Sequence, residues 1–431
     1  MGAYLTGVVV TSAPWLLTSA VLIGLRLTAH THGQGNFGVV EQIITIAYAV
    51  TVVLSAPVQV VVSRYAADRL YEHRLDAIAS PLRRVLALTL FGFCALGAGV
   101  MVLLRVPLGI AIAGTMLTTV VGAQWLLLSV GSGLSSPGVV LRSFGYGAPV
   151  SVVAALVLER GMELGPIGYL CGFALGQLVT LVLLLLGITR AIPDSADEDA
   201  RIWPACVEYR LLALSSFAYH LSIWADKAIV WLVLGRDVAA LYTASAAFAW
   251  FSVIPAFAWI FVQIETVFYQ RFRAFYGALE GGGTLAGLRQ GALLLQREAK
   301  RIVRGASLVQ AGVTGVAFMA APRIMRMAGL PPEAVPLFRI FLLGAALQVI
   351  TMLAVVLLYY FDRRRDALAV SLVLLIGNAA LTLFCWSVGL PPSLGYVLAC
   401  LVTCLLGLVL VRRRMDALII DTFQSQAFGA S

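Results

Sequence analysis

The sequence predicts an all-α integral membrane protein of about twelve transmembrane helices, arranged as two six-helix halves with both termini cytoplasmic. Three observations lead there. Hydrophobic residues make up 61% of the 431 and charged residues 12%, against roughly half and a quarter in soluble domains. The apolar residues fall in repeated runs long enough for a hydrocarbon core about 30 Å thick, which takes ~20 helical residues. These runs lack the period-2 alternation of barrel strands, and a helix satisfies its own backbone groups in lipid.

Spans are expected at 3–27, 39–63, 85–104, 107–131, 146–158, 165–187, 211–235, 238–266, 305–322, 336–360, 367–389 and 392–411, the fifth being the shortest. With the N-terminus inside, the inner segments hold 22 of the 30 Lys and Arg. Five lie in 64–84, seven in 271–304, three in 363–365 and three in 412–414. That bias is the positive-inside signature, so the net charge of +9 reports topology, and no nucleic-acid partner is expected. The bias places both termini on the cytoplasmic side of the membrane.

The polar stretch "RAIPDSADEDARIWPACVEYR" (190–210) reads as a cytoplasmic linker. It separates an N-terminal half, 1–189, from a C-terminal half, 211–431. Within the second half, 271–304 is a cytoplasmic amphipathic segment. Its triple glycine at 281–283 lacks the Lys-Ser/Thr of a phosphate loop and reads as a turn. In "AGLRQGALLLQREAKRIVRG" leucines recur against Arg and Lys, the pattern of a helix lying on an anionic leaflet. Anionic lipids are therefore the expected partner, with a cytoplasmic protein as the alternative.

Polar groups within spans are the usual evidence for a transport path. "WADKAIVWLV" (224–233) sets Asp226 beside Lys227 in an apolar run, with His220 nearer the middle of the same span. Adjacent helical residues diverge by about 100°, so Asp226 and Lys227 are expected to find separate partners, in a polar cavity or against other helices. Pro255 should kink the eighth span. Glu265, near the inner end of that span, is expected to organise an inner mouth with Arg271 and Arg273 as its basic partners. Glu41 opens the second span. Trp224, Trp250 and Trp259 are candidates for stacking on sugar rings. Asn378 in the eleventh span is expected to bond across helices.

His30 and His32 lack further ligands, so no metal site is expected. The six cysteines read as packing residues. No cofactor is implied, and the absence of Walker A, HExxH and GxSxG motifs argues against an enzyme.

Several stretches together resemble a known family. "YLTGVVVTSAPWLLT" (4–18), "SRYAADRLY" (63–71), "WADKAIVW" (224–231), "SVIPAFAWIFVQIETVFYQRF" (252–272), "GGGTL" (281–285), "FRIFLLGAALQVITMLAVVLLYYFDRR" (338–364) and "DTFQSQ" (421–426) look like the PelG family. Its members are inner-membrane transport subunits of Pel exopolysaccharide systems, within the multidrug/oligosaccharidyl-lipid/polysaccharide exporter superfamily. The resemblance implies export of an amino-sugar polysaccharide chain during biofilm matrix production. It also implies work alongside other Pel inner-membrane subunits, including a cyclic-di-GMP receptor, and a cytosolic glycosyltransferase. Two other functions fit the residues: a cation-coupled small-molecule exporter, in which a lone carboxylate such as Asp226 titrates, and a scaffold for a polysaccharide synthase that transports nothing.

Overall fold

The computed structural model describes residues 17–22, 24, 25, 28, 37–133, 137–192 and 202–418, and every regular element among them is helical. Ten helices are long and apolar enough to cross a membrane, eleven if one bent pair counts as a single span. The first expected span, 3–27, falls mostly outside the described residues, as do His30, His32 and the 421–426 motif.

The described residues divide into two compact units, one ending at His220 and the other starting at Leu221. The first contains α1 (Phe37–Tyr71), α2 (Ala79–Leu104), α3 (Leu108–Gly133), α4 (Pro137–Leu156), α5 (Pro166–Ala191) and the short α6 (Trp203–Glu208). Its tightest pairing is α4 against α5, and glycine explains it. Gly168, Gly172 and Gly176 recur every fourth residue and so share one face of α5. A Cβ on Gly172 would lie 2.1 Å from the backbone nitrogen of Ala155, so only glycine lets the two backbones approach this closely. Lipid tails are as apolar as leucine, so such close packing, rather than the hydrophobic effect, holds membrane helices together.

The fifth span, expected at 146–158, is longer than that. It runs from Pro137 through α4 into a π-turn at Val157–Gly161. The glycines at 145 and 147 belong to the helix, and the exposed Arg142 folds back so that its Nε donates to the Gly138 carbonyl at 2.9 Å.

Helix α7 (Arg210–Leu234) begins in the first unit and ends in the second. The second unit continues with α8 (Arg236–Phe251), α9 (Ile254–Gln263), a π-turn (Ile264–Phe268) and α10 (Tyr269–Glu280). After a turn come α11 (Leu285–Met327), α12 (Ala334–Tyr360), α13 (Arg364–Ser387) and α14 (Pro392–Asp416). The expected kink is present: the axis bends by 43° at the break between α8 and α9. Pro255 sits in the first turn of α9, where its missing N–H costs nothing, while its ring would clash with the carbonyl four residues back. That residue is Phe251, the last of α8.

The segment 271–304 differs from a single amphipathic helix on the leaflet. Gly282, at φ +71°, turns the chain between α10 and α11, and Thr284 Oγ1 caps α11 by accepting from the Gly287 N–H at 3.3 Å. Nothing then breaks the helix before Pro322, so the amphipathic part and the ninth span form one helix of 43 residues.

Candidate functional site

Among the polar groups buried in the apolar packing, one arrangement in each unit concerns the predicted site residues. The first is a cavity of about 370 Å³ between α1, α3 and α7. Each helix contributes a pair one turn apart: Gln59 and Ser63 from α1, Trp125 and Ser129 from α3, Ser216 and His220 from α7. Residues four apart share a helix face, so three polar stripes converge on one space.

The lining is held from behind. Trp125 Nε1 donates to Thr51 Oγ1 at 3.3 Å, and Tyr48 meets its ring edge-on at 6.4 Å. Gln59 Nε2 donates to Ser55 Oγ at 2.7 Å. Ser216 Oγ donates to the Ala56 carbonyl at 3.3 Å, which ties α7 to α1 beside the in-helix Pro57. His220 Nδ1 lies 2.8 Å from the Ser216 carbonyl. A carbonyl only accepts, so Nδ1 carries the proton and Nε2 of the neutral ring is left as an acceptor. Among the described lining residues there is no carboxylate, lysine or arginine. An indole surrounded by amide, hydroxyl and imidazole groups suits a hydroxyl-rich ligand with an apolar ring face.

The second arrangement is sealed. Asp226 is fully buried and Lys227 is 7% exposed. Contrary to the expectation of separate partners, they pair with each other: Lys227 Nζ lies 3.1 Å from both Asp226 oxygens. Their Cα–Cβ bonds diverge, but the four-carbon lysine stem is long enough to fold back across that angle. The carboxylate also accepts from Tyr242 Oη at 3.0 Å and Asn378 Nδ2 at 3.1 Å. Asn378 Nδ2 donates in turn to the Ser222 carbonyl at 2.8 Å, the cross-helix bond expected of it. Lys227 Nζ stands 4.9 Å from the Tyr396 ring centre and 5.3 Å from that of Phe341. The ammonium is thus enclosed by one carboxylate and two aromatic faces, which attract cations through their quadrupoles. Helices α7, α8, α12, α13 and α14 all contribute.

Of the other predicted residues, His220 alone lines the large cavity. Arg271 does not pair with Glu265; it lies 3.7 Å from Glu298 and lines a cleft of about 140 Å³ between α10 and α11. Glu298 is 4% exposed, so it offers a charge the packing must neutralise, whereas Glu265 is exposed. Arg273 stacks over Tyr269 at 5.9 Å. Glu41 is half-buried near the start of α1. Trp224 is half-buried, and Trp250 and Trp259 pack against the core of the second unit. Trp259 lies on Gly305, where an added Cβ would meet its ring at 2.4 Å. The tryptophan that lines the cavity is Trp125.

Comparison with solved structures defines the fold. Over 96% of both chains, the fold matches an outward-facing multidrug resistance MATE family transporter of the MOP superfamily, with a TM-score of 0.67 at 17% identity. An inward-facing MATE family transporter matches at 0.66 and 13% identity over 94% of this chain and 95% of that one. A MOP superfamily transporter from Pyrococcus furiosus matches at 0.67 and 15% identity, over 96% of each. The protein is a multi-pass membrane protein with a MATE-like transporter fold, and fold and family point to a transporter rather than an enzyme.

The family model of PelG, an exopolysaccharide exporter (EPS-E), matches residues 1–423. The chain belongs to that family. Among curated proteins none matches the sequence.

Proposed function

We propose that the chain carries a Pel-type amino-sugar polymer across a bacterial inner membrane, with twelve spans and both termini in the cytoplasm. The cavity between α1, α3 and α7 is the place where a sugar unit is held. One observation carries this reading: an indole set among uncharged hydrogen-bonding groups, at the convergence of three membrane helices. The apolar face of a sugar ring stacks on Trp125, and its hydroxyls bond to Gln59, Ser129 and His220. Weak, sequentially replaceable contacts of this kind suit a polymer that must advance unit by unit. They agree with the chain's exporter family.

Cation coupling at Asp226 is less well supported. That reading needs a lone carboxylate, and Lys227 pairs with this one from the same helix at 3.1 Å. Asp226 and Lys227 then act as a clamp on the second unit rather than as part of the sugar path. Other Pel inner-membrane subunits and a cytosolic glycosyltransferase are the partners in this reading.

Replacing the gene with Trp125→Ala tests the site. A loss of 1.4 kcal/mol in stacking would be about tenfold in occupancy, so secreted amino-sugar polymer per membrane-inserted protein should fall by about that factor. Trp125→Phe should retain most of it. Wild-type secretion from a Trp125→Ala chain at wild-type membrane level would refute the site.

A further inference from the structure

We propose that the first half of α11 is a docking surface for an acidic amphipathic helix of a cytoplasmic protein. The proposal rests on the inner-side topology given above and on the length of this helix. At 1.5 Å per residue, its 43 residues measure about 64 Å, twice the ~30 Å of a hydrocarbon core. The charge-free stretch 305–322 is about 27 Å long, which fills the core. Residues 285–304 belong to the same unbroken helix, so they extend beyond the membrane and cannot lie flat on its surface.

The outer face of this extension has a defined chemistry. Leu285, Arg289, Leu293, Arg297, Lys300 and Arg304 fall within an arc of about 120° at 100° per residue, and all are exposed. Leu285 and Leu293, 50% and 52% exposed, sit one helical turn from Arg289 on either side of it. The opposite face is occupied: Leu288, Leu295 and Ile302 belong to the buried core that includes Phe275 and Met415. At the Leu285 edge of the arc the packing closes in: Gln296 Nε2 donates to the Met415 carbonyl at 2.6 Å, and Val303 packs on that core. The one acidic residue of the stretch, Glu298, is turned inward between Arg271 at 3.7 Å and Arg301 at 3.4 Å. The exposed arc therefore carries leucines and cations with no carboxylate among them.

Three occupants can be weighed. An anionic leaflet acts over a Debye length of about 8 Å; it reaches Lys300 and Arg304, but Arg289 and Arg297 stand about 24 Å and 12 Å from the start of the charge-free stretch. A second copy would bring the same cations face to face. An acidic helix with its own apolar stripe matches both the charge and the leucine spacing, in the helix-in-groove manner.

A photo-crosslinking phenylalanine at Leu293 of the full chain, expressed in the native cell, tests this. The expected product is a crosslink that mass spectrometry maps to an acid-rich helical segment of a cytoplasmic protein. It should fall at least fivefold in an Arg289→Glu, Arg297→Glu, Lys300→Glu variant that reaches the wild-type membrane level. Crosslinks to lipid, to a second copy or to no protein would overturn the proposal, as would a yield insensitive to charge reversal. Leu293→Cys, in a chain with its six native cysteines changed to Ala, separates the two readings. Labelling by a membrane-impermeant maleimide from outside would refute the topology. Labelling from the cytoplasmic side without an acidic crosslink would refute the docking alone.

Discussion

At the scale of single residues, Asp226 and Lys227 show how far sequence can go. Two opposite charges in an apolar run marked a place where the helix must be enclosed by protein. Their mutual pairing was not legible, because the 100° between neighbours describes the Cα–Cβ bonds and not the reach of a flexible ammonium. The buried pair also has an uneven energetics. Removing one partner of a buried ion pair costs about 3–5 kcal/mol, while replacing both with neutral groups of similar shape is often near neutral. Lys227→Met leaves a carboxylate with only Tyr242 and Asn378 as donors, and thermal unfolding of the purified protein in detergent should shift down markedly. Asp226→Asn combined with Lys227→Met should recover most of that shift. Equal midpoints for wild type and Lys227→Met would show that the pair contributes nothing to stability.

At the scale of elements, spacing was more informative than identity. Ser55, Gln59 and Ser63 recur every four residues in an otherwise apolar span, and Trp125 with Ser129 and Ser216 with His220 repeat the interval. The stripes were in the sequence, but their convergence depends on which helices pack together, and that is long-range information. The same holds for the glycines. The fifth span, expected to start at 146, begins nine residues earlier, and its Gly147 packs tightly on α5: a Cβ there would meet Thr180 Oγ1 at 1.8 Å. In the second unit Gly395 plays the corresponding part, 2.4 Å from the Thr382 backbone nitrogen if given a Cβ. Gly172→Leu should therefore abolish stable insertion, read as loss of the membrane-fraction band and of a monodisperse peak in detergent. Gly145→Ala, with nothing within 4 Å of the new Cβ, should be neutral or slightly stabilising, since alanine favours a helix by about 1 kcal/mol over glycine. A wild-type level of Gly172→Leu would mean that α4 and α5 are not in backbone contact.

At the scale of the whole molecule, composition alone fixed the class: a chain this apolar crosses a membrane many times. What composition could not reveal is how polar groups are shared between the units. The first holds an open cavity without fixed charge among its described lining residues; the second holds a sealed ion pair, Asp226 with Lys227. If polymer advances along uncharged groups, the sealed pair is structural and can be dispensed with once its fold is preserved. A strain lacking the gene and complemented with the Asp226→Asn, Lys227→Met double variant should then secrete at least half the wild-type polymer, normalised to membrane protein, while Lys227→Met alone loses it through instability. If the double variant inserts normally, unfolds at the wild-type temperature and secretes nothing, the charges must separate and re-form during transport. The box around Lys227 would then be a moving part of the exporter, and the division of labour between the units would be wrong.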